Sequence, residues 1–247
     1  MRDTIHALYE ALGGGKADIL IAELQEAGID CIMDRGGVEI AGHRVLGKGW
    51  AGLVLAALRR GRPVAVKVLK PRGRRRSLLS EGIAAYAAAR LGVFKPVHYV
   101  GRNVLVYELI EGPTLAEYGP RSVAEAQQVL SQLLEKAYRL DVIGLRHNEL
   151  ARPDQQVIVE HGQKPYIIDY ESATWCQTPA SNLTQLIGGL PRTPIGRCCR
   201  IHILLKDPVL RSLLRRYKAA KTLKEKRYLY RSIAELLISA CSEATAP

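Results

Sequence analysis

The sequence contains a glycine-rich segment whose backbone could bind phosphate groups. Residues 47–54 read Gly-Lys-Gly-Trp-Ala-Gly-Leu-Val, with glycines at Gly47, Gly49 and Gly52. Because glycine has no side chain, backbone N–H groups in such a segment can approach phosphate oxygens closely. The residues after Gly52 are β-like and begin no helical pattern, which argues against the strand-to-helix turn of dinucleotide-binding folds. We therefore expect a strand-turn-strand flap over a nucleotide.

One lysine lies where an unpaired charge would be unfavourable. Lys67 ends the apolar segment Val-Ala-Val-Lys at 64–67, and burying an ammonium group without a partner has a large free-energy cost. Glu81, in an alanine-rich helical stretch, can supply a carboxylate, and nucleotide phosphates can supply further negative charge. The alternatives are an edge-strand lysine that faces solvent and a solvated helical glutamate. The preferred interpretation is a Lys67–Glu81 pair beside a phosphate site.

Several segments occur in the same order as the motifs of protein kinases, and the resemblance runs from about residue 38 to residue 190. They are the glycine-rich flap at 47–54, the V-A-I-K strand at 64–67 with its helical partner Glu81, the hinge at 105–112, the catalytic loop at 145–150 and the D-F-G turn at 167–171. The resemblance implies an α+β fold with the two lobes of a protein kinase, and ATP and Mg²⁺ as cofactors.

The resemblance also implies roles for residues of the first lobe. Lys67, held by Glu81, would bind the α- and β-phosphates of ATP. In the hinge, Leu-Val-Tyr-Glu-Leu-Ile-Glu-Gly, Tyr107 would be the gatekeeper. The Glu108 carbonyl and the Ile110 amide would hydrogen-bond the adenine.

In the second lobe, the resemblance places Glu149 where protein kinases have the catalytic aspartate. Its carboxylate can still accept the proton of a substrate hydroxyl. Asp169 would bind the bridging Mg²⁺, and His147 would support the catalytic loop. Counting from His147 gives Asp154 as the second metal ligand, whereas counting back from the next predicted strand gives Gln156. Both offer an oxygen to Mg²⁺, and the sequence leaves the choice open.

Departures from the usual kinase pattern indicate a minimal, atypical kinase. Glu171 replaces the glycine of D-F-G, and no A-P-E segment follows. The H-x-E-L loop at 147–150 and the I-D-Y-E-S-A segment at 168–173 are similar to small predicted archaeal serine/threonine kinases, which are related to the RIO kinases and the kinase subunit of the KEOPS complex. The resemblance implies transfer of the ATP γ-phosphate to a serine or threonine of a protein substrate.

Two other functions remain open at this point. A small-molecule kinase uses the same core, but such enzymes usually have a large helical insertion after the hinge, where this chain has only residues 114–141. An ATPase-type switch or pseudokinase that binds ribonucleoprotein is the second alternative, favoured by glutamate at position 149.

The elements that must position these residues follow from hydrophobic periodicity and from turn residues. Helices are predicted at 4–12, 16–27, 77–91, 122–140 and from about 208 onward, and strands at 38–40, 44–46, 53–58, 63–69, 97–100, 104–110, 157–159 and 166–168. Ser122 and Glu125 form a capping box. The predicted domains are a helical N-terminal extension at 1–36, an N-lobe at 37–111, a C-lobe core at 112–195 and a basic helical part at 196–247.

Positive charge is concentrated at the end of the chain. Of a formal net charge of +12, residues 196–247 contribute +8, from twelve lysines and arginines against four acidic residues. Apolar residues interleaved with these charges, from Leu210 to Leu237, indicate a helix pair packed on the C-lobe. Such a charge excess attracts polyanions, so we expect a docking surface for an anionic partner, RNA or ribonucleoprotein. A merely solvated helical face is the alternative.

Composition excludes other classes of protein. With 247 residues, of which 47% are hydrophobic and 24% charged, the chain is typical of a folded globular protein. It contains no apolar run of the roughly 18 residues that span a membrane, and its start lacks the order of a signal peptide, so the expected location is the cytoplasm. The five cysteines, at 31, 176, 198, 199 and 241, are predicted to be reduced core residues; a redox-active pair at 198–199 is the alternative.

Overall fold

The computed structural model is a mixed α+β protein, as predicted, and consists of two compact units. It describes residues 1–15, 17–73, 75–176 and 179–243. Unit 1 comprises residues 1–89 and 95–110, and unit 2 comprises the remainder of the described chain. Within the described ranges, no helix is long and apolar enough to cross a membrane.

Unit 1 is built on an antiparallel sheet. Its strands are β1 (Ile29–Met33), β2 (Val38–Ile40), β3 (His43–Val45), β4 (Gly47–Lys48), β5 (Gly52–Arg59), β6 (Arg62–Leu69), β7 (Val97–Val100) and β8 (Val104–Glu108). The sheet order is β1-β5-β6-β8-β7, with β4 also paired to β5, while β2 and β3 form a separate hairpin. The central strands β5 and β6 pair over their full lengths, from Gly52 opposite Leu69 to Arg59 opposite Arg62.

Two helices cover one face of this sheet. Helices α1 (Arg2–Ala11) and α2 (Ala17–Glu26) bury Leu8, Leu20 and Leu24 in one cluster with side chains of β5, β6 and β8. The prediction that residues 1–36 are helical was wrong for β1, which pairs with β5 along the edge of the sheet. The sequence Ile-Asp-Cys-Ile-Met has no clear alternation, and its strand conformation depends on a partner strand distant in sequence.

Helix α3 (Leu79–Arg90) lies close to the sheet. A Cβ atom at Gly82 would lie 2.3 Å from a methyl carbon of Val100 on β7, so only glycine allows this approach. Alanines fill the rest of the buried side of α3, including Ala84, Ala85 and Ala88. The small residues of α3 therefore bring the helix, and Glu81 with it, close to the sheet.

Unit 2 is mainly helical. Its elements are α4 (Val123–Val142), β9 (Leu145–Arg146), α5 (Pro153–Gln156), β10 (Val157–Glu160), β11 (Lys164–Ile167), β12 (Thr174–Trp175), α6 (Asn182–Gly189), a 3₁₀ turn (Leu190–Arg192), α7 (Pro194–Cys198), α8 (Ile201–Leu204), α9 (Pro208–Ala219) and α10 (Leu223–Glu243). Two short antiparallel strand pairs, the hairpin β10–β11 and the pair β9–β12, flank the loops that carry the candidate catalytic residues.

The capping residues predicted for α4 form half of a capping box. The Ser122 hydroxyl accepts a hydrogen bond from the Glu125 N–H at 3.1 Å, as predicted. The Glu125 carboxylate, however, accepts from Arg121 N–H and from the Tyr118 hydroxyl. These hydrogen bonds lower the pKa of Glu125, and the bond from Tyr118 has the largest effect.

The predicted helix pair at the basic end of the chain is present as α9 and α10, which pack on the rest of unit 2. Leu210 and Tyr217 of α9 are fully buried, as are Leu229, Ile233 and Leu237 of α10. The Gln127 side-chain amide of α4 donates to the Ile238 carbonyl of α10 at 2.8 Å. Two residues predicted to pack are instead exposed, namely Leu223 and Tyr228.

The cysteine prediction was correct about burial for two of the five residues and wrong about the oxidation state of those same two. Cys199 and Cys241 are completely buried and joined by a disulfide that links the end of α7 to α10. They are 42 residues apart, and no sequence spacing shows that α10 returns to this point. Cys31, Cys176 and Cys198 are free and partly exposed.

Candidate active site

The centre of the candidate site in unit 1 is a buried ion pair. Lys67 on β6 and Glu81 on α3 are in contact, with 2.6 Å between the ammonium nitrogen and a carboxylate oxygen, and their side chains are only 6% and 3% exposed. The Arg75 guanidinium lies 4.0 Å from the other carboxylate oxygen of Glu81. Since desolvation of two charges is unfavourable, such a pair contributes little to stability by itself. Its position suggests a role in binding instead.

The glycine-rich segment forms a strand-turn-strand hairpin, as expected from the sequence. Gly47 and Lys48 of β4 pair with Val54 and Leu53 of β5, and the Gly49 N–H donates to the Gly52 carbonyl at 3.0 Å across the turn.

Gly52 is required because this hairpin lies directly against β6. A Cβ atom at this position would come within 2.7 Å of the Val68 carbonyl oxygen and 3.3 Å of the Lys67 side chain. The segment therefore places backbone amides next to the lysine.

The residues of the proposed adenine-binding hinge lie at the end of β8. The Glu108 N–H donates to the Pro96 carbonyl at 3.0 Å, and the Glu108 carboxylate pairs with Lys95 at 3.9 Å. Glu108 and Val64 occupy opposite positions in the ladder between β8 and β6. Ile110 is the last residue of unit 1. The hinge residues Glu108 and Ile110 are thus parts of unit 1. The same unit contains the residues predicted to bind phosphate, which are Gly47, Gly49, Gly52, Lys67 and Glu81.

In unit 2, His147 occupies a buried position behind the loop that carries Glu149. One of its ring nitrogens, Nε2, lies 2.8 Å from the Ile168 carbonyl oxygen, so the neutral ring donates Nε2–H to it. Burial lowers the pKa of His147, although the Ile168 carbonyl and the charges of Asp169 and Glu149 act in the opposite direction. The ring also packs edge-on against the buried Tyr170. His147 therefore supports the loop as a neutral residue.

Gln156, at the end of α5, is hydrogen-bonded to Glu149 and to Ile168, the residue before Asp169. The Gln156 side-chain amide donates to the Glu149 carboxylate at 3.1 Å. The backbone carbonyl of Gln156 accepts a hydrogen bond from the N–H of Ile168, the residue before Asp169, at 2.9 Å. Glu149 itself is exposed, while Gln156 is buried.

The structure separates the two candidates for the second metal ligand. The backbone carbonyl of Asp154 accepts a hydrogen bond from the Ala116 N–H. Asp154 is therefore bonded to the loop before α4. The side-chain oxygens Asp154 Oδ1 and Gln156 Oε1 are both buried, and neither has a hydrogen-bond partner within the described part of the protein. The carboxylate of Asp169 and an unsatisfied amide oxygen from Gln156 are suitable ligands for a hard cation such as Mg²⁺. Of the two candidates, only Gln156 is hydrogen-bonded both to Glu149 and to Ile168, the residue before Asp169.

Two candidate-site residues have strained backbones. Asn148 and Asp169 have φ values of +69° and +61°, in the left-handed region that non-glycine residues seldom adopt. The Asn148 side chain donates to the Ser172 carbonyl at 2.7 Å and to the Thr174 hydroxyl at 3.0 Å. Strained residues held in place by their neighbours are concentrated at functional sites, which is consistent with a role for both loops.

Sequence reasoning missed the buried network that fixes the Glu149 loop. The Asn182 side chain of α6 accepts from the His147 N–H at 2.8 Å and donates to Asp141 of α4 and to the Leu145 carbonyl. Asp141 also accepts from the Asn182 and Leu183 N–H groups. No short-range pattern marks Asn182 or Asp141, because their partners are 35 to 42 residues away in the chain.

This network extends to the C-terminal helices. The Tyr217 hydroxyl of α9 donates to Asp141 at 2.8 Å. Lys226 of α10 is fully buried and donates to the carbonyls of Ala180 and Tyr217. Burial raises the pKa of Asp141 and lowers that of Lys226, while their mutual attraction opposes both shifts. Helices α9 and α10 are therefore linked to the Glu149 loop through hydrogen bonds.

Comparison of the chain with protein-family models and with curated proteins found no match.

Proposed function

We propose that this protein is an ATP-dependent phosphotransferase of the atypical protein kinase type, with a two-lobed protein kinase-like fold, that transfers the γ-phosphate of ATP to a serine or threonine hydroxyl of a protein. The observation that carries the proposal is the buried Lys67–Glu81 pair at 2.6 Å, beside a glycine hairpin in which a Cβ atom at Gly52 would come within 3.3 Å of the same lysine side chain. This combination of a paired lysine and a glycine-rich hairpin suits the phosphates of a nucleotide.

In this proposal, residues of unit 1 bind the nucleotide. Glu81 holds the Lys67 ammonium group in the orientation that contacts the α- and β-phosphates. The backbone at Gly47, Gly49 and Gly52 lies over the phosphates, as its hairpin conformation allows. The Glu108 carbonyl and the Ile110 N–H bind the adenine.

Residues of unit 2 act on the acceptor and on the metal. Bound ATP-Mg²⁺ supplies the phosphoryl group and neutralises its charge. Asp169 and Gln156 hold Mg²⁺ through their side-chain oxygens, and Asp154 is the alternative to Gln156. Glu149, which is exposed, orients the acceptor hydroxyl and accepts its proton. The hydrogen bond from Gln156 keeps the Glu149 carboxylate in position.

The basic end of the chain is proposed to dock an anionic partner, RNA or ribonucleoprotein. Eleven of its twelve lysines and arginines are exposed, and Lys226 alone is buried. In the described part of the chain, none of the eleven lies within 4.0 Å of a carboxylate. Unpaired surface charges of one sign attract polyanions. A structural role for these charges in ion pairs is thereby disfavoured.

Incubation with γ-labelled ATP, followed by thin-layer and gel separation of the products, tests the proposal. Label is expected on protein hydroxyls with the wild-type chain and in no product with Lys67→Met. Lys206→Met, which removes an exposed lysine of the basic end, is the matched control and should retain wild-type turnover. Label on a small metabolite would indicate a small-molecule kinase. Free phosphate alone would indicate an ATPase switch, and undiminished turnover by Lys67→Met would refute the phosphate-binding role of Lys67.

A further inference from the structure

Unit 1 contains a cavity rich in positive charge. It has a volume of about 630 Å³, within the range of small-molecule sites. It lies at the turn between β5 and β6 and is lined mainly by charged and polar side chains, namely Arg59, Arg60, Arg62, His98 and Glu108. We propose that this arginine cavity binds a small molecule that carries a diphosphate group, at a site separate from the proposed ATP site.

Arg62 of the arginine cavity and Lys67 lie on opposite faces of the sheet. Side chains alternate between the two faces along a strand. Arg62 and Lys67 are five positions apart on β6, so they point to opposite sides. Arg59, which pairs with Arg62, donates its Nε–H to the Ala27 carbonyl at 2.8 Å, next to α2. Arg62 therefore lies on the face covered by α1 and α2, and the cavity shares only Glu108 with the residues proposed to bind ATP.

The three arginine charges of this cavity outnumber the single carboxylate of its lining. Across the described residues, no carboxylate lies within 4.0 Å of Arg59, Arg60 or Arg62. The acidic residue of the lining, Glu108, is paired with Lys95 at 3.9 Å. The nearby Asp30 carboxylate accepts from the Gly61 N–H at 2.9 Å. The lining thus carries three permanent positive charges against one carboxylate, which is already paired with Lys95.

The local sequence is unfavourable for the turn it forms. Arg60 and Gly61 have φ values of +51° and +72°, as in a type I′ hairpin turn, where Asn-Gly or Asp-Gly is preferred over Arg-Gly. Arg59 lies directly opposite Arg62, and like charges in that arrangement repel. An anion between these arginines would relieve the repulsion, so binding accounts for residues that folding alone does not favour.

The shape of the charged groups indicates the class of ligand. A guanidinium group presents paired N–H donors that match two oxygens of one phosphate. Three such groups provide more charge than a single phosphate requires and match a diphosphate. His98 lies where the pairing of β7 with β8 is interrupted between Val97 and Tyr99, and it adds a further nitrogen to the wall opposite the turn.

Isothermal titration with inorganic pyrophosphate at physiological ionic strength tests the proposal, using Lys67→Met protein so that the proposed ATP site does not contribute. Saturable binding is expected. Arg60→Ala/Arg62→Ala in the same background should weaken it by about tenfold or more, because two charge-assisted contacts are lost. Arg44→Ala/Arg102→Ala, which removes two exposed arginines of unit 1 outside the cavity, should change the affinity by less than about twofold.

Each other outcome contradicts the proposal. Absence of pyrophosphate binding to the Lys67→Met protein would overturn it, as would equal loss of binding in both double variants. Binding of a phosphoserine peptide without binding of pyrophosphate would show that the ligand is a protein segment instead. Melting temperatures of all variants establish that they fold. ATP turnover by the Arg60→Ala/Arg62→Ala variant, made in the wild-type background, separates failure of this proposal from failure of the proposed function.

Discussion

Glu149 is the residue at which the enzyme and switch interpretations differ. Its carboxylate is exposed and oriented by the side-chain amide of Gln156 at 3.1 Å. If Glu149 accepts the hydroxyl proton, Glu149→Gln should lower phosphoryl transfer roughly 10²-fold or more with little change in ATP affinity. Glu149→Asp, which keeps the carboxylate, should retain part of the activity. Transfer at the wild-type rate by Glu149→Gln would exclude this residue as the base.

The choice between Gln156 and Asp154 as a metal ligand can be tested in the same way. Because only Gln156 is bonded to both loops of the site, Gln156→Ala is expected to raise the Mg²⁺ concentration required for activity more than Asp154→Ala does. Asp169→Asn should abolish Mg²⁺-dependent nucleotide binding, since a neutral amide is a poorer ligand for a hard cation. Titration of Mg²⁺ at fixed ATP gives the comparison, and a larger effect of Asp154→Ala would reverse the order of the two candidates.

His147 should make the stability of the protein depend on pH. Burial lowers its pKa below the usual 6.5, so the unfolded chain binds a proton at this position more readily than the folded protein. The free energy of unfolding should therefore fall as pH drops below about 6.5 and level off below the lowered pKa of the native state. Melting temperatures of the wild type and His147→Gln measured across this range test the assignment. The variant should show a shallower pH dependence, and equal slopes would contradict it.

Among the helices and strands, those that short-range sequence patterns encode were predicted correctly. The strand ladder of Gly52–Arg59 and Arg62–Leu69, helix α4 with its Ser122 cap and the β10–β11 hairpin all have local periodicity or turn residues, and all are present in the structure. The elements that were missed depend on distant partners. β1 is a strand because β5 is beside it, and Asn182 is part of the site because His147 and Asp141 lie next to it.

Residues of the candidate site were likewise difficult to predict where their role depends on partners distant in sequence. Lys67 and Glu81 were found because an isolated lysine in an apolar strand requires an anion, and the structure places the two charges in contact. The arginines of the β5–β6 turn were not singled out, since their significance depends on a cavity formed with β7 and β8. Exposure of Tyr228 was also missed, because it follows the apolar spacing of α10 but lies on the outer side of the helix.

Helices α9 and α10 should bind polyanions through their exposed charges. Replacing Arg215, Arg216 and Lys218 by glutamate changes the charge by six units without removing a buried side chain. Affinity for RNA should fall steeply in the variant, and wild-type binding should weaken with increasing salt through release of counterions. Electrophoretic mobility-shift titrations measure both effects. Reversal of Arg2, Arg44 and Arg102 in unit 1 is a control of equal charge, and equal loss in both proteins would show that binding is nonspecific.

At the scale of the whole molecule, the candidate functional residues are divided between the two units. Unit 1 carries the proposed nucleotide-binding residues and the arginine cavity, and unit 2 carries Glu149, Gln156 and Asp169. The basic helices belong to unit 2 and reach its Glu149 loop through Tyr217, Asp141 and Asn182. Under the proposed function, a mutation in α9 should affect turnover without contacting any substrate, so charge-reversal variants should be assayed for turnover as well as for RNA binding.

The disulfide between Cys199 and Cys241 has a consequence for how the protein fragments. Residues 200–240, including α9 and most of α10, lie within the covalent loop that it closes. Lys221 is exposed in the connection between α9 and α10, so limited trypsin treatment should cut the chain there. The cut chain should migrate as one species in a non-reducing gel and as two fragments after reduction. A protease that severs the connection would thus leave α10 covalently attached to the rest of the chain until a reductant breaks the disulfide.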